Sequence, residues 1–246
     1  MLILSILFLG LIHPNPSFSL KSFNADDSCI DMNINNLKGI IGVMVQFDLE
    51  EPDDLRTSGN GQFITIDPDL DNTYPSFINY NDLSRCSKTK LDPPPHDVEY
   101  FESQLKAVIN YYQNISNGNI FLDYIMIDNL YTADKKMEYY AQSENRVTEL
   151  YIETLTDLTT SNEIIDIAGS NGWIDDNFIV VVFHAGLGQD LGSPGFDPTI
   201  YDIHSAYIDS DMISDGFGYS SFTIVNTDIE SDFFGKDRII SDGILL

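Results

Sequence analysis

At 246 residues the chain can bury a substantial core, in one domain or two small ones. Its 39 acidic residues against 12 basic ones give a formal charge of −27, which excludes the electrostatic footprint of a protein that binds nucleic acid or anionic lipid. Such a charge favours solubility and suits a salty or calcium-containing exterior, where carboxylates are screened or coordinated.

Leu2 to Ile12 is almost wholly apolar but too short for the roughly 20 residues of a membrane-spanning helix, and small residues come next at Ser17-Phe18-Ser19. The segment reads as a signal peptide over residues 1–19, which predicts a secreted protein with no membrane association once the leader is removed. A basic n-region is missing, Lys21 being the first positive side chain, and a buried N-terminal strand is the competing reading. Residues 20–36 are polar and irregular. Cys29 and Cys86 form an even pair in what would be an oxidising compartment, so a disulfide is expected, with two isolated thiols as the alternative. In the chain-entropy model such a bond would stabilise the fold by roughly 4 kcal/mol. Neither cysteine sits in a local Cys/His signature of a nucleophile.

Lys38 to Phe47 (KGIIGVMVQF) is the first predicted core strand. A loop-rich insertion is expected over residues 50–95, where Asp, Asn, Pro and Ser dominate and the short apolar run Phe63 to Ile66 suggests a hairpin. Within it, Asp67, Asp69 and Asp71 copy the opening of a calcium loop. Asn72 replaces the turn glycine and Ile78 the closing glutamate, which favours a solvated acidic turn over calcium.

Asp97 is placed to cap a helix whose Val98, Phe101, Leu105, Val108 and Tyr112 form one apolar stripe, ending at Asn117-Gly118. Asn114-Ile115-Ser116 is a formal glycosylation acceptor, but at a helix end it reads better as a C-terminal turn. Asn119 to Ile127 (NIFLDYIMI) is the second strand. Ser143 can cap a second helix with Val147, Leu150, Tyr151, Leu155 and Leu158 on one face. The third strand, Phe178 to Phe183, lacks polar alternation, as a strand covered on both faces requires. Beyond it Phe196 to Asp209 is aromatic and aspartate-rich, Phe222 to Val225 is a short strand and Ile239 to Leu246 another. Strand and helix alternate, which predicts an α/β fold: a mixed, largely parallel sheet with backing helices.

The third strand runs into His184-Ala185-Gly186-Leu187-Gly188, and in open α/β sheets strand ends of this kind bind ligands. A histidine at a strand end is also a common structural residue, and the residues alone leave both readings open. A dinucleotide loop fails, because Leu191 stands where a third glycine belongs and Pro194, Gly195 and Pro198 prevent the helix that would meet the phosphates. A serine elbow fails as well: no G-x-S-x-G occurs, and Gly218-Tyr219-Ser220-Ser221-Phe222 breaks the pattern at its last position. The histidines are His13, His96, His184 and His204, and no H-E-x-x-H is present.

Taken in chain order, four segments resemble the N-terminal half of the catalytic domain of the immune inhibitor A family of secreted zinc metallopeptidases. GIIGVMVQF is similar to the family's first strand, and YYQNISNGNIFLD, through Tyr112, Ser116 and Gly118, to its helix-end pattern. NGWIDDNFIVVVFHAGLGQD matches a G-x-x-D turn, a valine strand and H-A-G through Gly172, Asp175, His184, Ala185 and Gly186; DPTIYDIHSAYID is similar to the family's segment after H-A-G. The resemblance covers Leu37 to the end. It implies a zincin-like N-terminal subdomain over residues 37–246 and a protein or peptide substrate. Zinc would be held by two histidines of an H-E-x-x-H helix, whose glutamate activates the metal-bound water. In the family that helix comes after a strand that DGILL resembles, so neither zinc ligands nor catalytic residues are expected within the chain, which is read as inactive by itself. Ala168, Ser170 and Asn171 depart from the family's aspartate-rich turn and put a calcium role there in doubt. Cleft residues are guessed at His184, His204 and Asp190. The alternatives are a complete, non-catalytic secreted α/β binding module, and an unrelated hydrolase using Asp190, Asp202 and His204 through a metal.

Overall fold

The computed structural model describes residues 37–50, 54, 56–65, 95–173, 177–189, 199–217, 222–225, 229–230, 237–240 and 243–246. The expected signal peptide, both cysteines, the Asp67-Asp69-Asp71 turn, Asp175 and Asp190 lie outside these residues.

β1 (Leu37–Gln46) is the central strand, and Gly39 to Val45 are buried without interruption. A strand can be apolar on both pleats only if both sheet faces are covered, and they are. Ile40 and Met44 pack with Phe101, Leu105 and Ile109 on one face. Ile41, Val43 and Val45 pack with Val147, Leu150, Leu155 and Ile164 on the other.

The first face is covered by α1 (Val98–Ile115). Asp97 caps it by accepting from Tyr100 N at 3.0 Å, and its stripe buries Phe101, Leu105, Val108 and Ile109. Asn117 and Gly118 leave the helix with φ of 54° and 77°, a backbone that Asn and Gly tolerate best. The next strand begins later than its apolar run suggests. Ser116 Oγ accepts from Ile120 N at 3.0 Å and Asn119 donates back to Ser116 O, holding the start of the run in a turn. β2 therefore spans Asp123–Thr132 rather than 119–127, passing through polar Asp128-Asn129 by a bulge between the pairs Gly42↔Met126 and Met44↔Leu130.

The second face carries α2 (Met137–Tyr140), α3 (Glu144–Thr160) and α4 (Glu163–Ser170). Ser143 occupies the N-cap of α3 without a side-chain cap bond, and the predicted stripe is fully buried. α4 has no strong sequence signal because it is short and begins one residue after Asn162, whose left-handed φ of 57° turns the chain. β3 (Asn177–His184) then pairs with β1 on the side away from β2.

β4 (Ala206–Ile208), α5 (Ser210–Phe217), β5 (Phe222–Val225), β6 (Asp237–Ile240) and β7 (Gly243–Leu245) complete the order. The expected single strand over 239–246 is two: β6 forms a hairpin with β5, while β7 inserts between β3 and β4 in the main sheet. Polar Ser241-Asp242 interrupts the run, and Gly243 is the residue over which the buried Tyr151 ring lies. The five-stranded order is β2-β1-β3-β7-β4, parallel except for β4, which confirms the mixed, largely parallel α/β sheet. Residues 56–65, part of the expected insertion, contain no strand.

Gly39 and Gly243 are close-approach positions. A Cβ at Gly39 would sit 2.5 Å from Trp173 Cζ3, and one at Gly243 would strike the Tyr151 phenol. Gly39→Ala and Gly243→Ala should each lower stability by about 1–3 kcal/mol through overpacking. Urea denaturation followed by Trp173 fluorescence measures this, and unchanged midpoints would refute the packing.

Candidate functional site at the carboxyl ends of the sheet

From β1 the chain crosses to β2 on one side and returns to β3 on the other, so the crossovers diverge at the carboxyl ends of β1 and β3. A crevice at such a reversal is the preferred ligand position of open α/β sheets. Three sets of described residues meet there: 47–50 and 56–62 after β1, 185–189 after β3, and 199–205 leading to β4.

Asp202 is the knot between them. It is 1% exposed, its Oδ1 accepts from Ser58 N at 2.6 Å, and its Oδ2 accepts from Thr199 Oγ1 at 2.5 Å. Ser58 Oγ accepts from Leu187 N at 2.6 Å, and Gln189 N donates to Ile203 O at 3.0 Å. Gly186 allows this approach. Its φ is 98°, and a Cβ there would collide with Met137 Cε and come within 3.3 Å of Ser58 O.

Glu50 plays a related part inside its own loop. It is 3% exposed, and Oε2 accepts from Thr57 Oγ1 at 3.0 Å and from Asp54 N at 3.3 Å. Its Oε1 is buried with no hydrogen-bond partner. At the rim, Arg56 grips Asp54 with two bonds of 2.9 and 2.6 Å, reaches Glu138 at 2.8 Å, and lies over the Tyr201 ring. The bond from Arg56 holds the Asp54 carboxyl well below its ordinary value, at about 2.

His184 ends β3 opposite Val45 and is 5% exposed. Its Nδ1 lies 2.9 Å from Ala185 O, and since a carbonyl only accepts, Nδ1 carries the proton. The Phe47 ring packs beside it at 6.3 Å. His204 is half-buried in the segment before β4. Of the guessed group of Asp190, Asp202 and His204, Asp202 is spent on Ser58 and Thr199, which makes it an organiser of loops. Among the described residues no three of His, Cys, Asp and Glu converge as metal ligands. Sequence reasoning passes over Glu50, Arg56, Ser58 and Thr199, because no motif marks them and the loops they join are distant in the chain, 144 residues apart for Ser58 and Asp202.

The sheet face beside this site changes character toward its β4 edge. Val181, Ile244 and Tyr207 lie in one cross-strand row. Val181 is 3% exposed, Ile244 is half-buried and Tyr207 is 47% exposed. α1 packs chiefly over β1 and β2, and Ile244 and Leu246 lie at the margin of the cluster it covers. Set against known proteins, the chain matches no family model, no curated protein and no solved structure.

Asp202→Ala removes two acceptors at once and should cost about 1–3 kcal/mol, because buried donors are left unmade. Hydrogen exchange should speed up at residues 56–58 and 199–203; unaltered exchange would refute the knot. Asp54 is charged in the folded state at pH values where the unfolded chain is protonated, so its clamp is complete above about pH 3.8 and is lost as pH falls through about 2. A carbon-13 titration of its carboxyl should show that low midpoint. An ordinary midpoint would mean that Arg56 does not hold it.

Proposed function

We propose that this chain is the framework of an exported zinc metallopeptidase similar to the immune inhibitor A family. In this reading β4, the antiparallel edge of the sheet, aligns extended peptide substrate by backbone pairing, as edge strands do for many peptide ligands. One observation carries it: the apolar row from Val181 through Ile244 to Tyr207 loses its cover toward that edge. Exposed apolar surface on a sheet face favours a further packing element, and an active-site helix is the element that the resemblance supplies.

The described residues do not fit zinc. Asp202 is committed to backbone and threonine donors, and among the described residues no ligand set converges. The chain's own contribution is therefore positional. Asp202, Ser58 and Gly186 fix the loops at the carboxyl ends of β1 and β3, and the segment from Thr199 to Ser205 delivers the chain to β4 from that fixed point. A substrate edge tethered in this way has less freedom to lose when a peptide binds.

The reading frame beyond the Leu246 codon is expected to enter a helix with H-E-x-x-H, and an immediate stop codon would overturn the proposal. The purified 246-residue chain is expected neither to hydrolyse casein nor to bind zinc tightly by calorimetry. Chelator-sensitive hydrolysis by that chain would overturn it equally.

A further inference from the structure

The opposite edge of the sheet carries a second surface, unrelated to the peptidase reading. β2 has ten residues, and among the described residues its one strand neighbour is β1. Folded proteins usually blunt so long an edge with lysine, proline or a bulge. From Phe121 to Thr132 there is no Lys, Arg or Pro, and the register shift falls between Met126 and Leu130, so residues 123–126 form a regular stretch before it.

Beside this stretch α4 forms an open groove of about 500 Å³, lined by Ile125 and Asn129 of β2 and by Glu163, Asp166, Ile167 and Ser170 of α4. The groove is built. Glu163 accepts from Asn129 Nδ2 at 3.1 and 3.0 Å and from Tyr131 Oη at 2.7 Å, which fixes α4 against the strand. Burial and that bond push the Tyr131 hydroxyl up to about 12, so it remains a donor. No basic residue lines the groove, and Asp123 and Asp128 are exposed on β2 itself. At the amino end of the strand Phe121 is 73% exposed, and Ile115 at the end of α1 is 56% exposed, on either side of the turn at Ser116.

The charges select the occupant. A second copy of this chain would bring Asp123, Asp128, Glu163 and Asp166 against their own kind, a repulsion that guards the edge from self-pairing. A lysine or arginine side chain suits the same groove by its chemistry: Ile125 and Ile167 offer apolar surface for its stem, and the lining is acidic and not basic. We propose that the outer edge of β2, with the groove beside α4, docks an extended lysine- or arginine-bearing segment of another protein as an added strand.

The test uses a fluorescein-labelled peptide of alternating lysine and valine, with the intact 246-residue chain at low salt. Anisotropy should report binding, and hydrogen exchange should show new protection at residues 123–126. The same peptide N-methylated at alternate residues, which lacks strand donors, should bind at least about tenfold more weakly. The double variant Asp166→Lys, Ser170→Lys, on the groove side of α4, should weaken the unmodified peptide by roughly tenfold. Equal binding of the N-methylated peptide would reduce the effect to unspecific attraction by a chain of charge −27 and overturn the proposal. Protection at residues 206–208 instead of 123–126, or undiminished binding by a double variant shown to be folded by circular dichroism, would overturn it too.

Discussion

Water reaches β1 from neither face between Gly39 and Val45, and the rest of the architecture results from satisfying that constraint. A strand with no polar pleat needs strand partners at both edges and helices on both faces. Its parallel partners, β2 and β3, require long crossovers, and these crossovers are what place α1 on one face and α2 to α4 on the other. Because the chain visits β2 first and β3 second, on opposite sides, the crossovers separate at the carboxyl ends. The candidate site is thus a topological product of the buried strand. It exists wherever β1 is central, whatever the loops contain.

The loops at that point face a different problem. They must pack closely enough to cover Phe47, His184 and Ala185, which are all buried, while their backbone N–H groups lose water. Carboxylates solve it. Asp202 serves Ser58 and Thr199, and Glu50 serves Thr57 and Asp54, so two buried acids do here what a ladder does inside the sheet. An acid buried beside donors is costly to desolvate but strongly held, and its loss leaves several groups unmade together. Arg56 works differently. Half-exposed at the rim, it contributes less to stability than its three-way grip on Asp54, Glu138 and Tyr201 suggests, because solvent screens it.

Much of the framework is legible in the sequence, and the limits of that legibility have identifiable causes. The stripe Phe101-Leu105-Val108 and the valine run of β3 are local patterns with one period each, and both elements stand where those patterns put them. The start of β2 misleads because NIF before Leu122 is apolar enough for a strand, whereas Ser116 and Asn119 spend their side chains on a turn. Ile239 to Leu246 misleads for the converse reason: an apolar run carries no mark of which sheet it joins. The split becomes visible only with Tyr151, 92 residues upstream of Gly243, packed over the glycine. At the candidate site Gly186 is legible, since a glycine after a buried strand signals a backbone need. Asp202 stands out for its chemistry, but its work of joining distant loops has no local signature.

The two edges of the sheet differ in a way that bears on what each can accept. β4 is three residues long and antiparallel, anchored through Ile208 and carrying the half-exposed Tyr207. So short an edge offers little backbone, and specificity there has to come from the side chains and loops around it, which the Asp202 knot holds still. β2 offers backbone in quantity but surrounds it with carboxylates, so the discriminating factor is charge, acting before any contact forms. A net charge of −27 gives the chain that bias in general. What sets the β2 edge apart is geometry: it combines a regular run of strand, a groove fixed by Glu163, and an exposed phenylalanine at its entrance. General attraction brings a basic segment near, and only a backbone able to extend along residues 123–126 can turn that encounter into a strand.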